Sequence, residues 1–305
     1  MARVSVIISA RKEKYLPETL EDLYEKRAGQ IEVILTLDGP TGYEYEIPEY
    51  PRLKVIKNKT VQGLRNCTNE AVKVATGKYI MKIDAHCQIG ESWDTILQQD
   101  CEDNWIVVPR RYWLDAPGWF IRDKPYNDAI SLQYPFLLRP YQPRLTGRPD
   151  WVRQERDKDK LLVEDMSFQG SCWFTTKAHF NRIGGTDPGL YGTFGSEPEE
   201  LGLKTQLGPW AGSVMRNKKT WYAHWSKPMS HWRADPEEAG RITDEEFARA
   251  RLICYDHWFN NRWEERVHDF EWLIDKFWPV ASWPDNWRWE YPQFTRYEVT
   301  IPERI

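Results

Sequence analysis

The chain has 305 residues, 29% of them charged, and a formal net charge of −4, so no overall field draws it to nucleic acid or an anionic membrane. Its apolar stretches fall far short of a bilayer span, and with the run RVSVIIS beginning at residue 3 no secretory leader or stem is expected. Five cysteines (67, 87, 101, 172 and 254) form no CxxC pair and read as reduced thiols, so the expected location is cytoplasmic.

The first ninety residues alternate between short β-branched runs and amphipathic stretches, the pattern of strands joined by crossover helices. VSVIIS (4–9) reads as a strand buried on both faces, and LPETLEDLYEK (16–26) as a helix with Pro17 near its start. IEVILTLDG (31–39) and LKVIKN (53–58) read as strands, GLRNCTNEAVKVATGKY (63–79) as a helix stopped by Gly77, and YIMKIDAH (79–86) as a fourth strand. Asp38 and Asp84 then fall at carboxyl ends of strands, where open sheets of this class bind ligands.

Further along, WIVVP (105–109) reads as another strand, and the Pro-, Arg- and aromatic-rich region near 125–160 as a long loop or lid. FQGSCWFTTKAHFNRIGG (168–185) reads as a strand and a short helix, and DPGLYGTFGSEPEELGLKTQL (187–207) as a glycine-rich loop opening a helix with clustered acids. KTWYAHW (219–225) is a strand presenting His224. Thr243 and Glu246 form a capping box for a helix from about residue 244, whose aromatic pattern runs to about 277. Ten of the seventeen tryptophans lie after residue 220, so 229–305 is expected to be a helical, Trp-rich extension of a domain spanning 1–228, itself divided near residue 90. These tryptophans suit either a core or a sugar- or base-stacking platform.

Taken singly, the polar residues have ordinary explanations. Asp84 and His86 at i and i+2 of an extended segment point the same way, which serves a shared ion or a solvated strand end equally. His224 fits a hydrogen-bonded core histidine. Glu197, Glu199 and Glu200 at a helix start complement its dipole, Arg65 fits a helix-face cation, and Asp187 a turn before Pro188.

In order, however, VSVIISARKEKYLPETLEDL, EVILTLDG, GLRNCTNEAVKVATGKYIMKIDAH and GGTDPGLYGTFGSEPEE resemble a GT-A-fold glycosyltransferase of the family 2 type. Asp84-Ala85-His86-Cys87 and Gly195-Ser196-Glu197 with Glu200 are similar to the metal motif and Glu loop of the polypeptide N-acetylgalactosaminyltransferases, with serine in place of the second glycine. The resemblance covers roughly residues 3–225. It implies an α/β fold with a mostly parallel central sheet and transfer of a hexosyl or N-acetylhexosaminyl group from a nucleotide-sugar, UDP-linked, to an acceptor hydroxyl.

It also implies roles. Asp84, His86 and His224 hold Mn2+ (or Mg2+), an ion that neutralises a departing diphosphate. Ser9, Asp38, Arg65, Asp84 and Asp187 bind the nucleotide-sugar, while Glu197 and Glu200 face the sugar and acceptor. The polypeptide-transferase likeness implies retention and the broader family pattern inversion; retention is the expectation taken here. No anchor, stem or lectin domain accompanies the motifs, so the acceptor is not inherited: glycan, protein and hydroxymethylated DNA, as for bacterial and phage enzymes of this kind, stay open. Residues 139–160, with seven basic and four acidic side chains, would be the DNA-facing patch. The competing readings are a non-catalytic carbohydrate- or nucleic-acid-binding protein on this scaffold and a metal-dependent hydrolase.

Overall fold

The computed structural model describes residues 3–135, 143–227 and 244–288. Its first half follows the apolar pattern closely. Strand β1 (Val4–Ala10) pairs in parallel with β2 (Ile31–Leu37) on one side and β4 (Tyr79–Ile83) on the other, and β3 (Leu53–Lys57) closes the edge beside β2. Alternation along β1 sends Val4, Val6 and Ile8 into one core cluster and Ile7 into another on the opposite face, which is why the run is apolar at every position. Helix α1 (Leu16–Glu25) covers the first face with Leu16, Leu20 and Leu23, and α2 (Gly63–Val74) the second with Ala71 and Val72.

Beyond β4 the sheet is mixed rather than parallel. After β5 (Cys87–Ile89) and α3 (Trp93–Gln99), the long β6 (Trp105–Asp115) carries a short partner β7 (Phe120–Ile121). Residues 125–160 are built rather than loose where they are described: β8 (Ile130–Leu132) pairs antiparallel with β9 (Gly147–Pro149), and α4 (Trp151–Arg156) follows, capped by Asp150. β10 (Leu162–Asp165) and β11 (Cys172–Thr176) precede α5 (Lys177–Arg182), α6 (Pro188–Tyr191) and α7 (Glu197–Leu207), and β12 (Ser213–His224) completes the sheet. The strand order is β10-β12-β6-β11-β4-β1-β2-β3, with β11 antiparallel to both β4 and β6.

Strand β12 changes partner halfway. Val214–Asn217 pair with β10, the register shifts between Asn217 and Trp221, and Tyr222–His224 pair with β5. A bulge of this kind bends a strand and re-aims its end. Here it sets His224 directly opposite Cys87, one residue from His86.

The C-terminal residues form two helices instead of the single aromatic run expected, α8 (Asp244–Phe259) and α9 (Phe270–Phe277). The chain breaks at Asn261, which is left-handed (φ +55°) and whose side chain accepts the Phe270 N–H. Both helices share one cluster with Leu132, Leu145, Met166, Leu203 and Leu207, and three tryptophans there are core: Trp258, Trp283 and Trp287 are buried, and the first two donate to Tyr191 Oη and Leu132 O. Thr243 of the expected capping box lies outside the described residues.

The basic segment is partly paired within the fold. Arg153 is buried on Asp165, Arg156 and Lys160 pair with Asp157, and Lys158 with Glu155; Arg139 lies outside the described residues. Of these, Arg153 is buried, whereas Arg156, Lys158 and Lys160 remain exposed. All five cysteines are buried and free, and among the described residues no helix is long and apolar enough to cross a membrane.

His179 gives a pH dependence. It lies in α5, fully buried, with Nε2 3.0 Å from Thr205 Oγ1, and burial, aided by Arg182, lowers its pKa from 6.5 to about 4. Between those values the unfolded chain binds a proton that the folded chain refuses. This contribution is therefore complete above pH 6.5 and is lost as pH falls toward 4, by about 3 kcal/mol in all. Denaturant titrations at pH 7.5 and 4.5 should show a smaller acid loss for His179→Gln than for the parent; equal losses would refute the assignment.

Candidate active site

The fourth strand was expected to run to residue 86, but β4 stops at Ile83 and Asp84–His86 form the tight link into β5. The two side chains therefore converge through a turn, not through strand alternation. Asp84 N–H donates to Ser171 O (2.9 Å) and Trp225 N–H to His86 O (3.2 Å), which ties the link to β12 and the segment before β11.

Asp84, His86 and His224 each offer an atom within 4.8 Å of the others. The two histidine Nε2 atoms are 3.1 Å apart, and His224 Nε2 is 3.3 Å from Asp84 Oδ2. His86 Nδ1 lies 3.0 Å from Glu13 Oε2, whose other oxygen takes Lys227 Nζ at 2.5 Å. Glu13 thus holds the proton of His86 on Nδ1 and leaves Nε2 as a lone pair, the outer-shell arrangement usual for metal-binding histidines. The donor set of one carboxylate and two imidazoles fits a divalent transition metal.

The electrostatics agree. Burial opposes the charge of Asp84, but Lys82 and the two histidines outweigh it and hold its carboxyl far below the usual range. Burial, followed by His86 and Arg111 after a partial offset from Asp84, lowers His224 to about 4, so its ring is neutral near pH 7 and able to ligate. Glu13 is lowered to about 2 because His86 and Lys227 together exceed its desolvation.

A cleft of about 340 Å3 begins at this triad. Lys82, Asp84, Arg111 and His224 line it together with Glu197 and Glu199 of α7 and Phe247 and Arg251 of α8. A wider, open depression of about 600 Å3 beside Lys26, Trp119 and Trp221 contains none of the triad, so the chemistry belongs to the smaller cleft.

Other expected site residues are placed differently. Arg65 is fully buried and does not line the cleft: it pairs with Glu200, donates to Gly195 O and stacks 4.6 Å from the Tyr191 ring centroid. Glu200, expected to face the sugar, is likewise 0% exposed and takes Lys204 Nζ and Asp187 N–H on its other oxygen. Of the three acids opening α7, Glu200 is buried under the loop while Glu197 and Glu199 line the cleft. Glu197 Oε1 accepts Gly195 N–H (2.8 Å), and Glu199 Oε1 accepts Gly147 N–H (2.8 Å). Burial raises the Glu199 pKa against that bond.

Asp38 follows β2 as expected, yet its carboxylate already accepts from Asn58 Nδ2 and from the backbone N–H groups of Gln62 and Gly63, closing the entry to α2. Gly63 has φ +80°, and a Cβ there would stand 2.3 Å from Thr193 Cβ, so this corner admits only glycine. Ser9, next to last in β1, faces the Cys67 thiol, as does Asp38. Asp187 caps α6 through Leu190 N–H (2.9 Å). Sequence reasoning missed Glu13, Lys82 and Arg111. Signals existed: Glu13 is an isolated acid among three basic residues just after strand one, and Arg110-Arg111 interrupt an apolar strand, where unpaired charge is rarely buried.

A model described as Glycosyl transferase family 2 matches residues 5–165. An uncharacterized glycosyltransferase of Methanocaldococcus jannaschii is 36% identical over 90 residues, 27% of this chain and 31% of that protein. Among solved structures, GalNAc-T7 with UDP, GalNAc and Mn2+ matches at TM-score 0.67 and 16% identity, over 96% of this chain and 54% of that one. TarS 1-349 from S. aureus in complex with UDP-GlcNAc matches at TM-score 0.50 and 15% identity, over 90% and 69%. The chain thus spans about a third of the curated relative and about half of GalNAc-T7.

Proposed function

The chain belongs to glycosyl transferase family 2 and has the GT-A fold, and from that premise we propose that it moves a sugar from a UDP-sugar to an acceptor hydroxyl with the aid of a divalent cation. The observation that carries the reading is the convergence of Asp84, His86 and His224 at one end of a cleft that Glu197 and Glu199 also line. Two proteins of similar fold were solved with UDP or a UDP-sugar, one of them with Mn2+ as well.

In this reading Asp84, His86 and His224 hold Mn2+, with Glu13 orienting His86. The ion supplies positive charge to the diphosphate as the glycosidic bond breaks. Lys82 keeps Asp84 ionised. Asp38 retains a second lone pair on Oδ2 for a donor from the base, beside the end of β1 at Ser9. Glu197 receives sugar or acceptor hydroxyls, and Arg65, Glu200 and Asp187 shape the loop that presents it. Retention follows from the likeness of the Asp-x-His-Cys and Glu-loop motifs, and the anomer formed, followed by NMR, tests it. The five buried free thiols favour a reducing, cytoplasmic setting.

Calorimetric titration of UDP should show binding that requires Mn2+ and disappears with chelator. His86→Ala should weaken it by about tenfold or more. UDP binding indifferent to both metal and His86 would refute this site, and no UDP binding at all would refute the donor.

A further inference from the structure

Arg251 reaches the cleft from α8, on the far side of the Glu197 loop from the triad. The contacts run in order. Lys82, beside Asp84, donates to Gly170 O; a Cβ on Gly170 would meet Pro198 of α7 at 3.3 Å, and a Cβ on Gly195 would meet the Phe247 ring of α8 at 2.8 Å. The start of α7 and its loop therefore stand between the triad and α8. The Arg251 guanidinium lies 3.9 Å from the Phe247 ring centroid. It is half-buried, yet among the described residues it makes no hydrogen bond and no ion pair, and its donors are open to the cleft it lines. A guanidinium stacked on a ring in this way keeps its N–H edge oriented and unspent, the fork that suits an oxyanion.

Further positive charge gathers beside it. Gln133 N–H donates to Thr146 O (2.9 Å) and Arg144 N–H to Pro135 O (3.2 Å), so the chain stays extended from Arg144 into β9. Alternation sends Leu145 into the core shared with α8 and places Arg144, Thr146 and Arg148 on the other side, and Thr146 lines the cleft. Arg148 is exposed and, among the described residues, makes no hydrogen bond or ion pair. Both arginines act on Arg251: burial and then Arg144 lower its pKa, Glu199 offsets part of this, and Arg148 lowers it again. Glu199 spends Oε1 on Gly147 N–H and forms no ion pair with Arg251. Like charges held together without a counter-ion are a cost that a bound anion reverses.

We propose that Arg251, supported by Arg148, is an acceptor subsite: the molecule that receives the sugar carries a phosphate near its hydroxyl, and that phosphate seats on the Arg251 guanidinium. A phosphate ester brings a charge approaching −2 and enough oxygens to meet both arginines. Arg156, Lys158 and Lys160 are already paired with Asp157 and Glu155, and the chain is net −4, so the charge on offer is local to the cleft and suits one phosphate rather than a long polyanion. Seated there, the acceptor presents its hydroxyl past Glu197 toward the triad. The inference rests on the transferase reading given above and adds the acceptor class to it.

The full chain is saturated with Mn2+ and UDP, which fills the donor site, and glucose 6-phosphate, glucuronate and glucose are titrated calorimetrically into the parent, Arg251→Met and Arg148→Met. The parent should bind glucose 6-phosphate at least about tenfold more tightly than glucose, with glucuronate between them. Arg251→Met should lose that preference, Arg148→Met should lose part of it, and both should keep UDP affinity within about twofold of the parent. Arg251→Lys, which keeps the charge without the fork, should recover part of the preference. A parent that does not distinguish glucose 6-phosphate from glucose, or an Arg251→Met variant that still does, overturns the proposal. Binding of single-stranded oligodeoxynucleotides that strengthens with length while glucose 6-phosphate fails to bind also overturns it, in favour of a polyanion. If UDP itself does not bind, the donor reading fails; the three probes are then titrated in chelator, where the comparison of the parent with Arg251→Met still decides the subsite.

Discussion

Replacing Arg65 by methionine should destabilise the protein by about 3–5 kcal/mol, the range for breaking a buried ion pair from one side. Arg65 and Glu200 are both 0% exposed, so the deletion leaves a carboxylate in the interior with only Lys204 and the Asp187 N–H beside it. The guanidinium also holds Gly195 O and stacks on Tyr191, so the loop carrying Ser196 and Glu197 should loosen with it. Glu200→Leu alone leaves the arginine charge with only Glu197, 4.0 Å away, to balance it. The double variant should cost clearly less than the sum of the two, because neither charge then remains buried unpaired. Urea titrations of the four proteins measure this; an Arg65→Met variant within about 0.5 kcal/mol of the parent would show that the pair contributes little.

On the proposed function, Asp84→Asn should lower kcat/KM for UDP-sugar transfer at least about a thousandfold, equivalent to roughly 4 kcal/mol of transition-state stabilisation. The amide keeps the shape of the carboxylate but loses the charge that the triad needs and that Lys82 balances. Lys82 is buried and also donates to Gly170 O (2.7 Å), so the variant should lose some stability too, by about 1–3 kcal/mol. The two effects separate in practice: thermal unfolding reports the second, and Mn2+-dependent UDP binding the first. Activity within tenfold of the parent would remove Asp84 from the metal site. Because Arg65→Met acts on the loop and Asp84→Asn on the triad, the former should raise KM for sugar or acceptor more than it alters metal affinity, and the latter the reverse.

The sequence by itself determined the alternation of strands and helices through residue 83 and the acids at the strand ends, because hydrophobic periodicity and turn residues act over a few neighbours. It also supplied the metal-capable side chains at 84, 86 and 224 and the acids opening α7. Tertiary structure decided which of them meet. His86 and His224 are 138 positions apart and come into contact because β12 shifts register and exchanges β10 for β5. Arg65 and Glu200, 135 positions apart, became a buried pair instead of ligand-facing residues because α6, α7 and the shared aromatic core close over them. Whether a charge meets solvent, a ligand or an internal partner depends on what packs above it, and no local pattern encodes that.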